Sequence, residues 1–176
     1  MSKFLFKSLS KFAQLPVKAS TGACAYDVHA CGIDGSAAAI QPGAVLIIGT
    51  GLACNIPAGW CIKIFSRSGH GARHAVSLSN SVGLVDEDFT GEIMVCLRND
   101  GRYQFMVSNG DRIAQLRFER NESVELAWTD QLAETARGAG GFGSTGVNSV
   151  HSAMKFGGLS RLRQDHMRCP RVLTAR

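Results

Sequence analysis

The chain has 176 residues, of which 45% are apolar, and a formal net charge of +5. This length suits one domain with or without a tail, and no run approaches the ~18 apolar residues of a membrane-spanning helix, so no membrane partner is expected. The six cysteines form no C-x-x-C pair, and most lie in apolar runs. They indicate a reducing, cytoplasmic setting without a disulfide framework, although their even number leaves bridges open.

The positive charge is concentrated at the C-terminal end. Residues 147–176 carry six basic residues and one acid, whereas residues 1–146 carry thirteen of each. The basic balance therefore describes the tail. It argues against nucleic-acid binding by the folded body and leaves such binding open for the tail. Because residues 147–176 show no hydrophobic periodicity, we expect them to be disordered.

Short apolar segments separated by turn residues extend from residue 4 to residue 128. Residues 1–20 carry four lysines and no acid, a composition with a faint similarity to a transit peptide, but an opening strand is preferred. The absence of a convincing amphipathic helix between the segments indicates an all-β sandwich or barrel. The predicted strands are Phe4–Leu9, Ala44–Gly49, Leu52–Ile56, Trp60–Phe65, Gly83–Asp86, Glu92–Leu97, Tyr103–Val107, Arg112–Glu119 and Val124–Trp128.

Residues 80–92 form the first candidate site. The strand Gly83–Asp86 ends in a carboxylate, Glu87–Gly91 has turn chemistry, and the next strand begins at Glu92. This order predicts a β-hairpin that presents an acid beside the ring of Phe89. The flanking glycines suit close approach of a ligand. An ordinary acidic turn has the same composition, so this stretch alone does not decide between the two.

A second candidate site follows the strand Trp60–Phe65. Arg67, Ser68 and Gly69 suit an oxyanion, because a guanidinium forks onto phosphate, a hydroxyl donates and glycine exposes backbone N–H groups. His70 and His74 are four residues apart. No helix is predicted there and no third ligand is evident, so a zinc site is not expected.

The segment 137–146 is the third candidate. Five of its ten residues are glycine, so it should hold no helix or strand alone. Arg137 and the hydroxyls of Ser144 and Thr145 suit a polyphosphate, and Phe142 offers a face on which a base can stack. The segment lacks the Lys-Ser/Thr ending of a P-loop. A flexible linker is the alternative, although a linker needs no Arg and Phe at its centre.

Taken in chain order, five short motifs resemble those of the trimeric dUTPase family, the dUTP nucleotidohydrolases. They are Ala25–Val28, Arg67–Gly69, Gly83–Glu92, Gly110–Leu116 and Arg137–Gly146. The resemblance covers roughly residues 3–146, and five ordered motifs are far more specific than any one of them. It implies an all-β distorted jelly roll or β-barrel. It also implies a homotrimer with shared active sites, and Mg²⁺-assisted hydrolysis of dUTP to dUMP and diphosphate.

The resemblance also implies three segments with different roles. Residues 1–136 would be the β domain, 137–146 a Gly-rich active-site arm and 147–176 a basic tail. Asp86 is expected to be the base that activates water for attack on the α-phosphorus. Asp27, which by itself would more often be a turn or surface residue, is expected to hold a water on Mg²⁺.

The expected substrate contacts fall into three groups. The phosphate contacts are Arg67, Ser68, Gly69 and Gln115. The uracil pocket is lined by Asn80, Gly83, Leu84, Val85, Phe89 and Met94, with the Phe89 ring beneath the deoxyribose. The arm contributes Arg137, Phe142, Gly143 and Ser144.

Three positions depart from the family pattern. Ala25 stands where glycine is common, Ser66 where proline is usual, and Phe89 where tyrosine is common. None of these changes removes a group with an expected catalytic role.

Two other functions fit the same scaffold. One is a catalytically weak regulatory or binding protein, and the other is a related dCTP deaminase. The joint presence of Asp86, Asp27, Arg137 and Phe142 favours the enzyme over the regulator. Asp86 and the intact Gly-rich arm argue against the deaminase.

Overall fold

The computed structural model describes residues 2–141, which form ten strands and one short helix. The chain divides after Leu126 into two units, and every helix and strand of the described residues lies in the first. The elements in chain order are β1 Leu5–Ser8, β2 Tyr26–His29, β3 Ala38–Ile40, β4 Val45–Asn55, β5 Trp60–Phe65, α1 Ser68–His74, β6 Val76–Leu78, β7 Gly83–Val85, β8 Glu92–Asn99, β9 Phe105–Val107 and β10 Arg112–Arg120.

Two four-stranded antiparallel sheets make up most of the first unit. Their strand orders are β1-β4-β8-β6 and β2-β10-β5-β7, and β3 pairs with β9 separately. Side chains alternate along each strand with a period of two. In β8, Ile93, Val95 and Leu97 are buried while Met94 is exposed. The aliphatic core confirms the predicted all-β class. Within the described residues, no helix has the length and apolar character needed to cross a membrane.

The two strands predicted at Ala44–Gly49 and Leu52–Ile56 are one strand, β4, so that prediction was wrong. The pairing of β4 with β8 shifts register between Gly49 and Ala53. Gly51 takes a positive φ of 67° at the irregularity, which glycine adopts without strain. The carboxylate of Glu92 accepts the Gly51 N–H at 2.8 Å. A β-bulge therefore replaces the expected turn.

The strand predicted at Val124–Trp128 is also absent, because β10 ends at Arg120 and residues 121–128 pair with no strand of the described chain. The segment has β-forming side chains, but a strand also needs a partner edge for its backbone groups. Val124 is 74% exposed, Leu126 90% and Trp128 fully exposed. In the second unit, residues 127–141 contain turns and no helix or strand.

Candidate active site

The connection from β7 to β8 is an arch between sheets, so the predicted β-hairpin was wrong. β7 pairs with β5, whereas β8 pairs with β4 and β6. Because β7 and β8 form their hydrogen bonds with other strands, they do not pair with each other. The space between them is a cleft of about 320 Å³. We call it the arch cleft; its lining extends from Ile64 to Cys96 and includes seven of the expected site residues: Asn80, Gly83, Leu84, Val85, Asp86, Phe89 and Met94.

Two glycines fix the shape of the arch cleft. A Cβ on Gly91 would stand 2.7 Å from Cζ of Phe89, so only glycine lets the half-exposed ring lie against the turn. A Cβ on Gly83 would stand 3.0 Å from the Cβ of Ile64, so β7 approaches β5 closely. Asp86 follows β7 directly and is exposed at the cleft. The arch thus presents a carboxylate and an aromatic ring on one side of a partly apolar slot.

A second cluster surrounds Asp27. This residue is only 2% exposed, which corrects the expectation that a lone Asp there lies in a turn or at the surface. Gln115, its cross-strand partner on β10, donates Nε2–H to Oδ1 at 3.0 Å. Arg112 Nη1 donates to Oδ2 at 3.3 Å. Arg67 Nε lies 3.5 Å from Oδ1, an ion-pair distance without hydrogen-bond geometry. These donors offset the desolvation of the buried carboxylate.

The helix α1 positions Arg67 and Ser68, and its presence corrects the prediction that no helix forms there. Glycines at 69 and 71 weaken the local helix preference, but packing compensates. His70 and His74, four residues apart and therefore on one face, pack against Phe105 with tilted rings whose centroids lie 5.1 and 5.3 Å away. Ser68 and Gly69 begin the helix, where backbone N–H groups lack intrahelical partners. Both N–H groups therefore have no partner within the helix.

Ser66, which stands where the family has proline, acquires a structural role. Its hydroxyl oxygen accepts the Leu78 N–H at 2.8 Å and so ties the end of β5 to β6. A proline could not make this bond, since it has no hydroxyl.

Two histidines next to the Asp27 cluster have lowered pKa values. Burial lowers the pKa of His29 most; Asp27 opposes this shift, and Arg112 and Arg67 reinforce it. Burial is also the largest cause that lowers the pKa of His70, followed by the guanidinium of Arg67. Both rings are therefore neutral at neutral pH. Neither histidine was singled out as a site residue from the sequence.

The Asp27 cluster fits a magnesium ion carried by substrate phosphates better than one held directly by the protein. No group of three His, Cys, Asp or Glu side chains between residues 2 and 141 could ligate a metal. Mg²⁺ characteristically keeps several waters and binds through one carboxylate and phosphates. A carboxylate has about four acceptor positions. Asp27 accepts hydrogen bonds from Arg112 and Gln115, and Arg67 approaches it at ion-pair distance, so acceptor capacity remains for a metal-bound water.

Only part of the arm falls within the described residues. Arg137 is exposed, and its Nε–H donates to the carbonyl of Gly140 at 2.8 Å. Phe142, Gly143, Ser144 and the tail 147–176 lie outside the described residues. Sequence reasoning missed Arg112, which contacts Asp27; its place three residues before Gln115 in the motif Gly110–Leu116 was the available signal.

The geometry defines an all-β protein with a cleft beside an exposed carboxylate and an aromatic ring, and a separate cluster of two guanidinium groups and an amide around the buried Asp27. The family model for dUTPase matches residues 11–146. The deoxyuridine 5'-triphosphate nucleotidohydrolase of Desulfitobacterium hafniense strain DSM 10664 / DCB-2 is 42% identical over 147 residues, covering 83% of this chain and 96% of the relative. The enzyme of that name from Neorickettsia sennetsu is 37% identical over 146 residues, with 83% and 97% coverage. The chain belongs to the dUTPase family.

Solved structures agree on the fold. The dUTPase of Staphylococcus bacteriophage 80alpha with dUPNHPP aligns with a TM-score of 0.74 at 23% identity, covering 84% of this chain and all of the phage chain. A mutant dUTPase from phage phi11 of S. aureus, which coordinates a structural Mg(II) ion, aligns with a TM-score of 0.67 at 18% identity, covering 76% and 100%. The predicted jelly-roll class is therefore confirmed.

Proposed function

We propose that this chain hydrolyses dUTP to dUMP and diphosphate. The observation that carries the proposal is the arch cleft, where Asp86 and Phe89 flank a slot between two strands that do not pair with each other. Family membership supports the substrate, because the matched relatives are named deoxyuridine 5'-triphosphate nucleotidohydrolases.

Uracil would occupy the arch cleft. β7 is the last strand of its sheet, so the backbone groups of its outer edge have no strand partner among residues 2–141. These groups, with those near Met94 on β8, can pair with the base edge while Asn80 closes the slot. A site built from fixed donors and acceptors rejects cytosine, because mismatched polar groups would be buried unpaired. Phe89 would lie beneath the deoxyribose and obstruct a 2′-hydroxyl.

The reaction would begin at Asp86. Its carboxylate orients a water and accepts one proton while the water oxygen attacks the α-phosphorus. The bond from the α-phosphorus to the bridging oxygen breaks, and diphosphate leaves. Arg67, Ser68, Gly69 and Gln115 would hold the phosphate chain in line for this displacement. When bound, Mg²⁺ supplies charge neutralisation on the phosphates, and Asp27 would hold one of its waters.

The arm, residues 137–146, would supply the remaining contacts to the nucleotide. Arg137 would bind the γ-phosphate, Phe142 would cap the uracil, and Gly143 and Ser144 would donate to the phosphates. We propose residues 1–136 as the β domain, 137–146 as this arm and 147–176 as a basic tail without a part in catalysis. A nucleic acid is a candidate ligand for that tail only.

We also propose that three chains assemble and share their active sites. Val124 and Leu126 in the first unit, and Trp128 and Leu132 in the second, are each more than 70% exposed, and a second copy would bury such apolar side chains. β2 and β7 are the outer strands of one sheet, roughly 14 Å apart at the usual strand spacing. The Asp27 cluster of one chain can therefore serve the arch cleft of another. The five cysteines within residues 2–141 are free thiols, which suits a reducing, intracellular setting.

Substrate choice tests the proposed function. Purified chain with Mg²⁺ should release diphosphate from dUTP with a kcat/KM on the order of 10²-fold or more above that for dCTP, dTTP and UTP, because each analogue leaves polar groups unpaired or meets the slot walls. Diphosphate release is measured for the four nucleotides at equal concentration. Comparable kcat/KM for dUTP and dCTP would contradict the pocket assignment, and no turnover of dUTP would contradict the function.

A further inference from the structure

One hydrogen bond near the phosphate donors has no part in the mechanism above. Arg67 Nη1 lies 3.1 Å from His70 Nε2 and also donates to the Arg112 carbonyl oxygen at 3.1 Å. Together with Asp27 on the Nε side, these contacts restrain the guanidinium from three directions. Of these contacts, only His70 contributes an imidazole, the side chain that changes its charge near neutral pH.

The chemistry of the pair determines which form of His70 it requires. A guanidinium has only donors, so His70 Nε2 must accept and must carry no proton. The proton of the neutral ring is then on Nδ1, which is buried without a protein partner in the described chain. A doubly protonated ring would place two donors and two positive charges against each other, and the bond would be lost.

We propose that His70 is a positioning residue for Arg67: its neutral imidazole holds the guanidinium in place for the phosphate chain, and protonation of the ring releases it. The proposal rests on the proposed function, in which Arg67 contacts the phosphates. It adds a residue that touches no substrate atom and acts through the orientation of its neighbour.

The surroundings of His70 keep the ring neutral in the working range. Burial lowers its pKa from the ordinary value of 6.5, and Arg67, His74 and Arg73 lower it further. Asp111, which precedes β10, is the one carboxylate that opposes them. Phe105 on β9 packs against the ring. A cleft of about 250 Å³ is lined by His70, Phe105 and Arg112, among others. Protonation of His70, and with it the release of Arg67, is therefore expected only below pH 6.5.

Two substitutions of His70 distinguish its role as a hydrogen-bond acceptor for Arg67 from a role in packing alone. His70→Leu keeps apolar volume and removes the acceptor, so the KM for dUTP should rise about tenfold, the usual effect of one hydrogen bond to a charged group. The kcat should fall by a smaller factor than the KM rises, since Asp86 and the Arg67 guanidinium are both still present. His70→Gln places an amide oxygen near the Nε2 position and should restore most of the affinity. His74→Leu and His74→Gln are the matched controls, because His74 packs on the same Phe105 ring without a bond to Arg67.

The pH profile supplies a readout that a packing role would not move. Between about pH 8 and about pH 5, the KM of the wild type should rise as His70 gains a proton. His70→Gln does not titrate, so its KM should rise less over the same range. Every other group that titrates is common to both proteins and cancels in their ratio. Parallel KM profiles for the two proteins would overturn the proposal.

A direct observation does not depend on turnover. A long-range ¹H–¹⁵N NMR spectrum of the full chain near pH 8 should show His70 with its proton on Nδ1. A proton on Nε2, or a wild-type KM in His70→Leu, would overturn the proposal. Absence of dUTP hydrolysis by the wild type would contradict the proposed function, and the His70 tautomer would still decide the contact with Arg67.

Discussion

Replacement of Asp86 by asparagine is expected to lower kcat for dUTP by about 10²–10⁴-fold, the range associated with loss of a general base. The amide keeps the shape of the side chain but cannot accept the proton of the attacking water. Asp86 is exposed at the end of β7, and its described hydrogen bond uses the backbone carbonyl, which accepts the Phe89 N–H. Because the substitution leaves that bond in place, the fold and the KM should change little. Steady-state hydrolysis measures the loss.

Asp88→Asn is the matched control for this substitution. Asp88 is an exposed carboxylate in the same turn, so it tests whether any acid of the arch would serve. Its kcat should stay within about threefold of the wild type. If Asp86→Asn retained near-wild-type turnover, or if Asp88→Asn lost as much, Asp86 would not be the base.

Mixed trimers are expected to recover activity from two inactive parents. Asp86→Asn chains keep the phosphate donors, and Arg67→Ala chains keep the base. If one site draws these two residues from different chains, about a quarter of the sites in an equal random mixture combine both wild-type residues. Co-refolding of the two variants should therefore give about a quarter of wild-type turnover, at least an order of magnitude above either parent alone.

The same mixture has an informative control. Asp86→Asn chains mixed with Asp86→Asn, Arg67→Ala double-variant chains contain no wild-type base and should remain inactive. Light scattering should give the mass of three chains for every preparation. A mixture no more active than its parents would show that each site lies within one chain.

The alternation of side chains identified most strands, but it could not identify their partners. Trp60–Phe65 was predicted with the observed bounds, because its apolar residues are bounded by turn signals on both sides. The hairpin prediction failed because β7 and β8 are neighbours in sequence but join different sheets. Val124–Trp128 has strand chemistry without a partner edge in the described chain. In each failure the deciding interaction is distant in sequence.

In the candidate site, too, residues close in sequence were predicted and contacts between distant residues were not. Local motifs identified the residues from Asn80 to Met94, which the structure brings to one cleft. The burial of Asp27 was not foreseen, because it depends on Gln115 and Arg112, more than eighty residues later. The bond from Arg67 to His70 was missed for another reason. It requires a helix that the glycines of the segment made improbable by local preference alone.

Hydrolysis of dUTP in ¹⁸O-labelled water tests the central claim most directly. If a water activated by Asp86 attacks the α-phosphorus, mass spectrometry will find one ¹⁸O atom in dUMP and none in the diphosphate. Asp86→Asn should show neither product above background. Label in the diphosphate would place the attack on the β-phosphorus, and an absence of products from the wild type would contradict the assignment of this chain as a dUTP-hydrolysing enzyme.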